Sequence, residues 1–532
     1  MDLRDSNVSR LATEEFDVLI IGGGINGAVS AAALAARGAR VALIDARDFA
    51  GFTSQQSSNL VWGGIKYMEG YEFGLVAGLC KSRNELLDSF PSTVKEIRFL
   101  MTLNRQFRFH PWVILASTWL YWLLGRGRTR TPRLLSVEQI KQSEPLIDTA
   151  ASSAGIEYSD AFLHDNDARF VFNFVRSAMD KGCVAANYVE SSGAVRDAGG
   201  DWKTEVQDKE SGRRFTIRSK ILINAAGAYV DQHNKLCGIE TENHHLLSKG
   251  IHLIVPQLSD KHRVLAFFAS DERLFFAIPM ANRTCIGTTD TRVDDPLTEV
   301  TDEDRDFVLS NINARLDLPT PLRREDVIAE RCGVRPLAAP RTRGGSMDVH
   351  HLSRKHVIEV TAAGKHISIF GGKLTDCLNV GEEICAQATR LGLDLQAVGK
   401  WYGEPGADAR AAFFNRAHRL GLDEIVASDT HEALSERLWR RYAANADAML
   451  DAIEKDASLA EPLIAQAGIR RCEIEYLAQH EMIVKLEDYL RRRSKIELLL
   501  PRETLRQSPG LLQACKILFG DRAQQRIDEY FD

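Results

Sequence analysis

Apolar and polar positions divide the chain into two regimes. Up to about residue 400, short apolar runs of strand length recur and several of them end in glycine. They are Phe16–Ile21, Arg40–Ile44, Lys220–Asn224, Gly250–Val255, Leu274–Ile278, Thr284–Gly287 and His366–Phe370. Runs of this length bounded by turn residues predict strands. From Ala407 onward glycines thin out and apolar residues recur among Ala, Leu, Glu and Arg, which predicts helices. Gly403-Glu404-Pro405-Gly406 is the natural break between the two regimes.

The first run, FDVLII, passes at once into Gly22-Gly23-Gly24-Ile25-Asn26-Gly27 and then an alanine-rich stretch. Strand, glycine turn and helix in that order suit a dinucleotide. Gly22 permits the turn, Gly24 lets backbone approach a pyrophosphate, and Gly27 lets helix pack closely on strand. The second strand ends at Asp45, placed to accept from a ribose hydroxyl. NAD and FAD both use this unit, so the turn alone does not choose between them. Two further strands run into small residues, Ala225-Ala226-Gly227 and Gly371-Gly372-Lys373, and together they suggest a large cofactor.

The 532 residues allow two to four domains. A net charge of −6 gives no global reason to bind nucleic acid. The nine cysteines form no CxxC pair or metal-ligand cluster, so reduced thiols and no metal are expected. Met1 to Phe16 is too polar for a signal peptide, which predicts a cytoplasmic protein.

Six segments in order carry a family resemblance: the glycine turn, SSNLVWGGIKYMEGYEFGLV from Ser57, NDAR from Asn166, IGTTDT from Ile286, GVRPL from Gly333 and FGGKLTD from Phe370. The C-terminal stretch from Glu475, with its adjacent arginines, adds a seventh. The chain resembles the FAD-dependent glycerol-3-phosphate dehydrogenases and the related oxidases over about residues 15 to 500. That resemblance implies an α/β fold: a Rossmann-type FAD-binding domain from roughly 15–100, 155–245 and 330–400, an interleaved mixed-sheet substrate domain, and a helical C-terminal domain over 407–532. It further implies oxidation of a polyol phosphate, with electrons passed to quinone at the inner face of the cytoplasmic membrane. An oxygen-using oxidase, a hydroxy- or amino-acid dehydrogenase and a non-catalytic FAD-binding protein are the alternatives, and a homodimer is compatible with all of them.

The resemblance also implies roles for residues. Gly22, Gly24, Asn26, Gly27, Asp45, Ser54, Ser58, Gly63, Gly227, Gly372, Lys373, Leu374 and Thr375 would hold FAD. Lys66, Tyr67, Arg335, Arg354 and Thr375 would bind substrate, and His252, Arg335 and Lys373 would act in catalysis. A phosphorylated polyol carries about two negative charges near neutrality, so cations are needed at one end of its pocket. Arg335 would supply the bidentate fork and Lys373 would offset charge on reduced flavin. Imidazole at His252 has a pKa suited to taking a hydroxyl proton, although a histidine satisfied inside a strand fits that position too.

The family form SSKLIHGGLRYLE becomes Asn59, Trp62 and Lys66 at its lysine, histidine and arginine. An indole at Trp62 cannot accept a proton and would stack or narrow the pocket. Lysine at Lys66 could neutralise phosphate without the fork. Another polyol phosphate or a 2-hydroxy acid is therefore an open alternative as substrate.

Trp112 to Leu124 is a 13-residue run without charge, too short to span a bilayer and bracketed by arginines such as Arg105, Arg108, Arg126 and Arg130. It suits one-sided insertion at an anionic membrane surface; a buried helix is the alternative.

Overall fold

The structure is a computed structural model that describes residues 2–269, 271, 273–341, 355–424 and 432–532. Two sheets organise the first 400 residues. In the eight-stranded sheet, Val41–Ile44, Glu15–Ile21, Arg214–Asn224 and His366–Phe370 are consecutive parallel neighbours, with Val184–Ala186 beyond Val41–Ile44 and Val357–Thr361 antiparallel at the other edge.

The apolar runs are continuous because both faces of this sheet are covered. Val18, Ile20, Val41, Leu43, Ile221, Ile223, Ile367 and Ile369 pack with the helices Ile25–Ala36, Asp167–Met179 and Cys377–Arg390. The intervening residues Leu19, Ile21, Ala42, Ile44 and Leu222 point the other way, onto Val8 and Leu11 of the helix Leu3–Thr13 and onto Trp202 and Val206. Strand alternation thus feeds two cores from one apolar run.

The second sheet has ten strands. Its spine is Asn243–Pro256, paired antiparallel with Ala329–Pro340 from Asn243↔Pro340 to Ile254↔Ala329. Leu60–Val61, Val94–Asn104 and Ser152–Leu163 hydrogen-bond into this sheet. These three, like Ala329–Pro340, lie largely in segments that the resemblance assigns to the FAD-binding domain, so those segments contribute strands to both sheets. Helix Asp302–Asn313 covers a core of Ile251, Leu253, Phe267 and Ile286.

Beyond the Gly403–Gly406 break the described chain is mostly helical, from Ala407–Arg419 to Ala523–Phe531, with its own core around Leu438, Trp439 and Leu490. Buried ion pairs weld it to the rest. Asp48, fully buried after the second strand, accepts from Arg492 Nε at 2.7 Å, from Arg493 at 2.8 and 2.9 Å, and from Asn187 at 2.8 Å. Arg169 makes two bonds to Glu481, at 2.6 and 2.9 Å, and Asp165 takes Arg441 at 2.7 Å.

Helix Pro111–Leu124 begins with proline at its first turn and His110 as its cap. Only Thr118 and Tyr121 of it are buried, while Trp112 and Leu123 are more than half exposed (63% and 61%), so the buried-helix alternative is corrected. Among the described residues no helix is long and apolar enough to cross a membrane.

Candidate active site

Gly22 has φ +100°, and a Cβ there would lie 2.5 Å from Ala225 O. The first and second glycine segments therefore touch, and only glycine lets them. A Cβ on Gly27 would lie 1.8 Å from Gly22 O, which fixes how closely helix Ile25–Ala36 approaches the turn. Gly24 is the N-cap of that helix without a side-chain cap of its own; Ser54 Oγ accepts from Ile25 N at 3.0 Å instead. Asp45 accepts from Gly23 N at 2.7 Å and from Arg47 N at 2.9 Å. Asn26 Nδ2 donates to Gly371 O at 3.0 Å, joining the first glycine segment to the third, while its Oδ1 is buried without a protein partner. Gly227 (φ +57°) has open space where a Cβ would be, and Gly371 and Gly372 also take positive φ.

A turn with no room for a Cβ at Gly22 or Gly27, a helix N-terminus and one orphaned buried amide oxygen fit a dinucleotide pyrophosphate. The signal that locates it, glycine after each of three parallel strands, was in the sequence.

Beside the cradle is a cavity of about 280 Å³ whose lining includes His252, Arg335, Lys373, Tyr67, Trp62, Ser58, Leu374 and Thr375. His252, on the spine strand, is buried and neither ring nitrogen has a protein partner. Burial first, then the charges of Arg331 and Arg335, push its imidazole down to about 3, so the ring is neutral at physiological pH. Arg335 donates to Thr288 Oγ1 at 3.0 Å and lies 3.6 Å from Asp290. Its guanidinium occupies the space a side chain at Gly250 would fill, 2.1 Å from such a Cβ. Lys373 Nζ donates to Tyr67 OH at 2.7 Å. Thr375 Oγ1 donates to Trp62 O at 3.4 Å.

The structure does not bring every expected residue here. Lys66 is corrected: it is exposed and lines a second, larger cavity, while Tyr67 beside it in the 3₁₀ turn Ile65–Gly70 lines the smaller one. Gly63 serves packing, since a Cβ there would lie 2.2 Å from Tyr121 OH. Arg354 lies outside the described residues. Asn59 is buried in a left-handed conformation (φ +59°) that asparagine tolerates, and its Oδ1 accepts from Arg331 at 2.8 Å. Asn59 lies behind the cavity lining, between Ser58 and Leu60, which do line it.

Sequence reasoning missed Gly250 and Arg331. Gly250 sits two residues before His252, on the same face of one strand, and that spacing was available as a signal. Gly250→Ala is expected to push the Arg335 guanidinium out of place. KM for the substrate should then rise while cofactor content and the thermal midpoint hold, as steady-state kinetics beside a melting curve would show.

The profile of the FAD dependent oxidoreductase family matches residues 17–372, and that of the C-terminal domain of alpha-glycerophosphate oxidase matches 403–525. Glycerol-3-phosphate dehydrogenase 2 of Mycobacterium bovis is 31% identical over 498 residues, 92% of this chain and 83% of the relative. This chain belongs to the FAD-dependent glycerol-3-phosphate dehydrogenase family. Glycerol-3-phosphate dehydrogenase of Pseudomonas aeruginosa, another curated relative, is 31% identical over 92% of this chain and 93% of its own length. The fold agrees. The structure of the glycerol-3-phosphate dehydrogenase from Bacillus halodurans superposes with a TM-score of 0.74 at 23% identity, covering 99% of this chain and 97% of the other. FAD is the cofactor of this family, and the protein is an oxidoreductase of the glycerol-3-phosphate dehydrogenase type.

Proposed function

We propose that the protein oxidises sn-glycerol 3-phosphate, or a close polyol phosphate, to the corresponding ketone and passes the electrons to quinone. The observation that carries this reading is the convergence of a neutral, unbonded His252, the Arg335 fork and Lys373 on one cavity next to the glycine cradle. Gly22, Gly24, Asn26, Gly27, Asp45, Gly227 and Gly372 would hold FAD, which supplies a two-electron acceptor for hydride. Arg335 binds the phosphate through parallel hydrogen bonds, with Thr288 orienting its fork. His252 takes the hydroxyl proton. A bound dianion offsets the Arg335 charge that depresses this imidazole, so substrate itself makes His252 a better base. Lys373, steadied by Tyr67, would offset negative charge on the flavin once it accepts hydride. Trp62 packs near Tyr67 and Phe276, with ring centroids 6.3 and 6.4 Å apart, and closes one side against water.

The exposed apolar helix Pro111–Leu124, flanked by arginines, supports a membrane-facing role at the inner leaflet from which quinone is reached. Anaerobic titration of the yellow protein tests the substrate. Glycerol 3-phosphate should bleach the flavin and glycerol, lactate and glycine should leave it oxidised; bleaching by lactate or glycine alone would replace this reading with a hydroxy- or amino-acid dehydrogenase. Oxygen uptake during turnover that matches substrate consumed would make the protein an oxidase.

A further inference from the structure

A second cavity, about 1060 Å³ and larger than the one at the cradle, lies elsewhere in the described structure. It opens between the turn Ile65–Gly70 and the flank of helix Pro111–Leu124, and Phe107 and Phe268, 4.7 Å apart, stand in its wall. Its interior is largely apolar. Its lining carries four cations, Lys66, Arg105, Arg108 and Arg315, against one carboxylate, Glu69.

Two of these cations are already engaged: Arg108 pairs with Glu69 at 2.8 Å, and Arg315 donates to Phe268 O at 2.9 Å. Lys66 and Arg105 have no side-chain partner among the described residues. Exposed apolar residues gather on the same side: Tyr71, Phe109, Trp112, Val113, Leu120 and Leu123 are each at least 39% exposed. An apolar patch of this kind beside a deep cavity marks an interaction surface.

We propose that this cavity seats one anionic phospholipid, its phosphate held between Lys66 and Arg105 and its hydrocarbon laid along Ile114, Leu120 and Phe109. The proposal rests on the membrane-facing reading of helix Pro111–Leu124. Charge and shape together select the occupant. A water-soluble phosphate would satisfy the cations and leave the apolar walls wet, and a neutral quinone would fill the walls and leave two cations unanswered. A lipid anion answers both. Occupancy also bears on the neighbouring site, because the turn that presents Lys66 and Met68 to the lipid presents Tyr67, the partner of Lys373, to the smaller cavity.

The test uses the FAD-loaded full chain and a short-chain phosphatidylglycerol below its micelle concentration, followed by calorimetry, with the matching phosphatidylcholine as comparison. We expect one-to-one binding of phosphatidylglycerol roughly 30-fold tighter than phosphatidylcholine, the worth of two basic contacts. Lys66→Gln with Arg105→Gln should erase that preference. Ser117→Trp, which fills the cavity from the helix, should abolish binding of the soluble lipid yet still sediment with phosphatidylglycerol vesicles through Trp112 and Leu123. Equal affinity for both lipids, binding undiminished by Ser117→Trp, or displacement by a short-chain quinone at lower concentration than the lipid would each overturn the site. No binding of soluble lipid by a protein that still sediments with vesicles overturns the site alone. Failure to sediment with any vesicle overturns the membrane-facing reading and the site with it.

Discussion

Asp48→Ala is expected to destabilise the protein by roughly 3 kcal/mol, the low end of the cost of breaking a buried pair, because Arg492 keeps Asp488 and Glu487 and Arg493 keeps Glu481. Here two guanidiniums, Arg492 and Arg493, would lose their common carboxylate in a fully buried setting. Burial by itself raises the Asp48 carboxyl, but Arg493 and Arg492 overcome it and hold the group below the ordinary range. Asp165 follows the same logic: burial raises it, and Arg441, Arg440 and Lys495 carry it well below.

The sign for pH follows from those directions. A carboxylate depressed in the folded state contributes stability that is fully present above its unfolded pKa, about 4, and is lost as pH falls through the lower folded value. The contribution of these two carboxylates to the thermal midpoint should therefore stay level down to about pH 5 and be lost below pH 4. Asp48→Ala should flatten that acid limb as well as lower the midpoint, and it should release FAD on mild heating because Asp48 lies three residues from Asp45. An unchanged midpoint would show that the pairs add nothing net.

The second large effect is expected at Arg335. Arg335→Ala should lower kcat/KM by about 30- to 1000-fold, from the 2–4 kcal/mol that truncating one partner of a charged hydrogen-bonded pair costs. The guanidinium is a quarter exposed in the structure, which places the expectation toward the lower end. Arg335→Lys should recover part of the loss, since an ammonium restores charge without the fork. FAD content should not change. Equal loss of FAD and of substrate affinity would assign Arg335 to the framework instead, where its bonds to Thr288 and Thr289 would be its whole purpose.

Local pattern carried a good part of this protein. The run FDVLII and its glycine turn, the strands at Lys220 and His366, and the helical regime after Ala407 were all legible, because period, length and glycine placement are properties of neighbours in the chain. The gathering of His252, Arg335 and Lys373 was legible through family resemblance. What the sequence hid depends on partners far away. Lys66 reads as a phosphate ligand from its place in the segment, yet it lines the larger cavity while Tyr67 beside it lines the smaller one. Gly63 reads as a glycine for the cofactor, yet the atom that forbids a side chain there belongs to Tyr121. Asp160, buried, receives Tyr121 OH at 2.6 Å and Arg83 at 3.1 Å, a triad whose members are scattered along the chain. Nothing in the neighbourhood of any one of them announces the other two.

The bond from Arg492 to Asp48 spans 444 residues. On a ribosome that adds roughly 5–20 residues per second, Asp48 waits about 20–90 s for its partner to be made. Throughout that interval the nascent cofactor fold carries a carboxylate it cannot bury, so the first domain emerges early but is finished last. Capture of FAD is accordingly expected to follow release of the complete chain, and a nascent chain stalled before residue 490 should remain colourless however much FAD surrounds it.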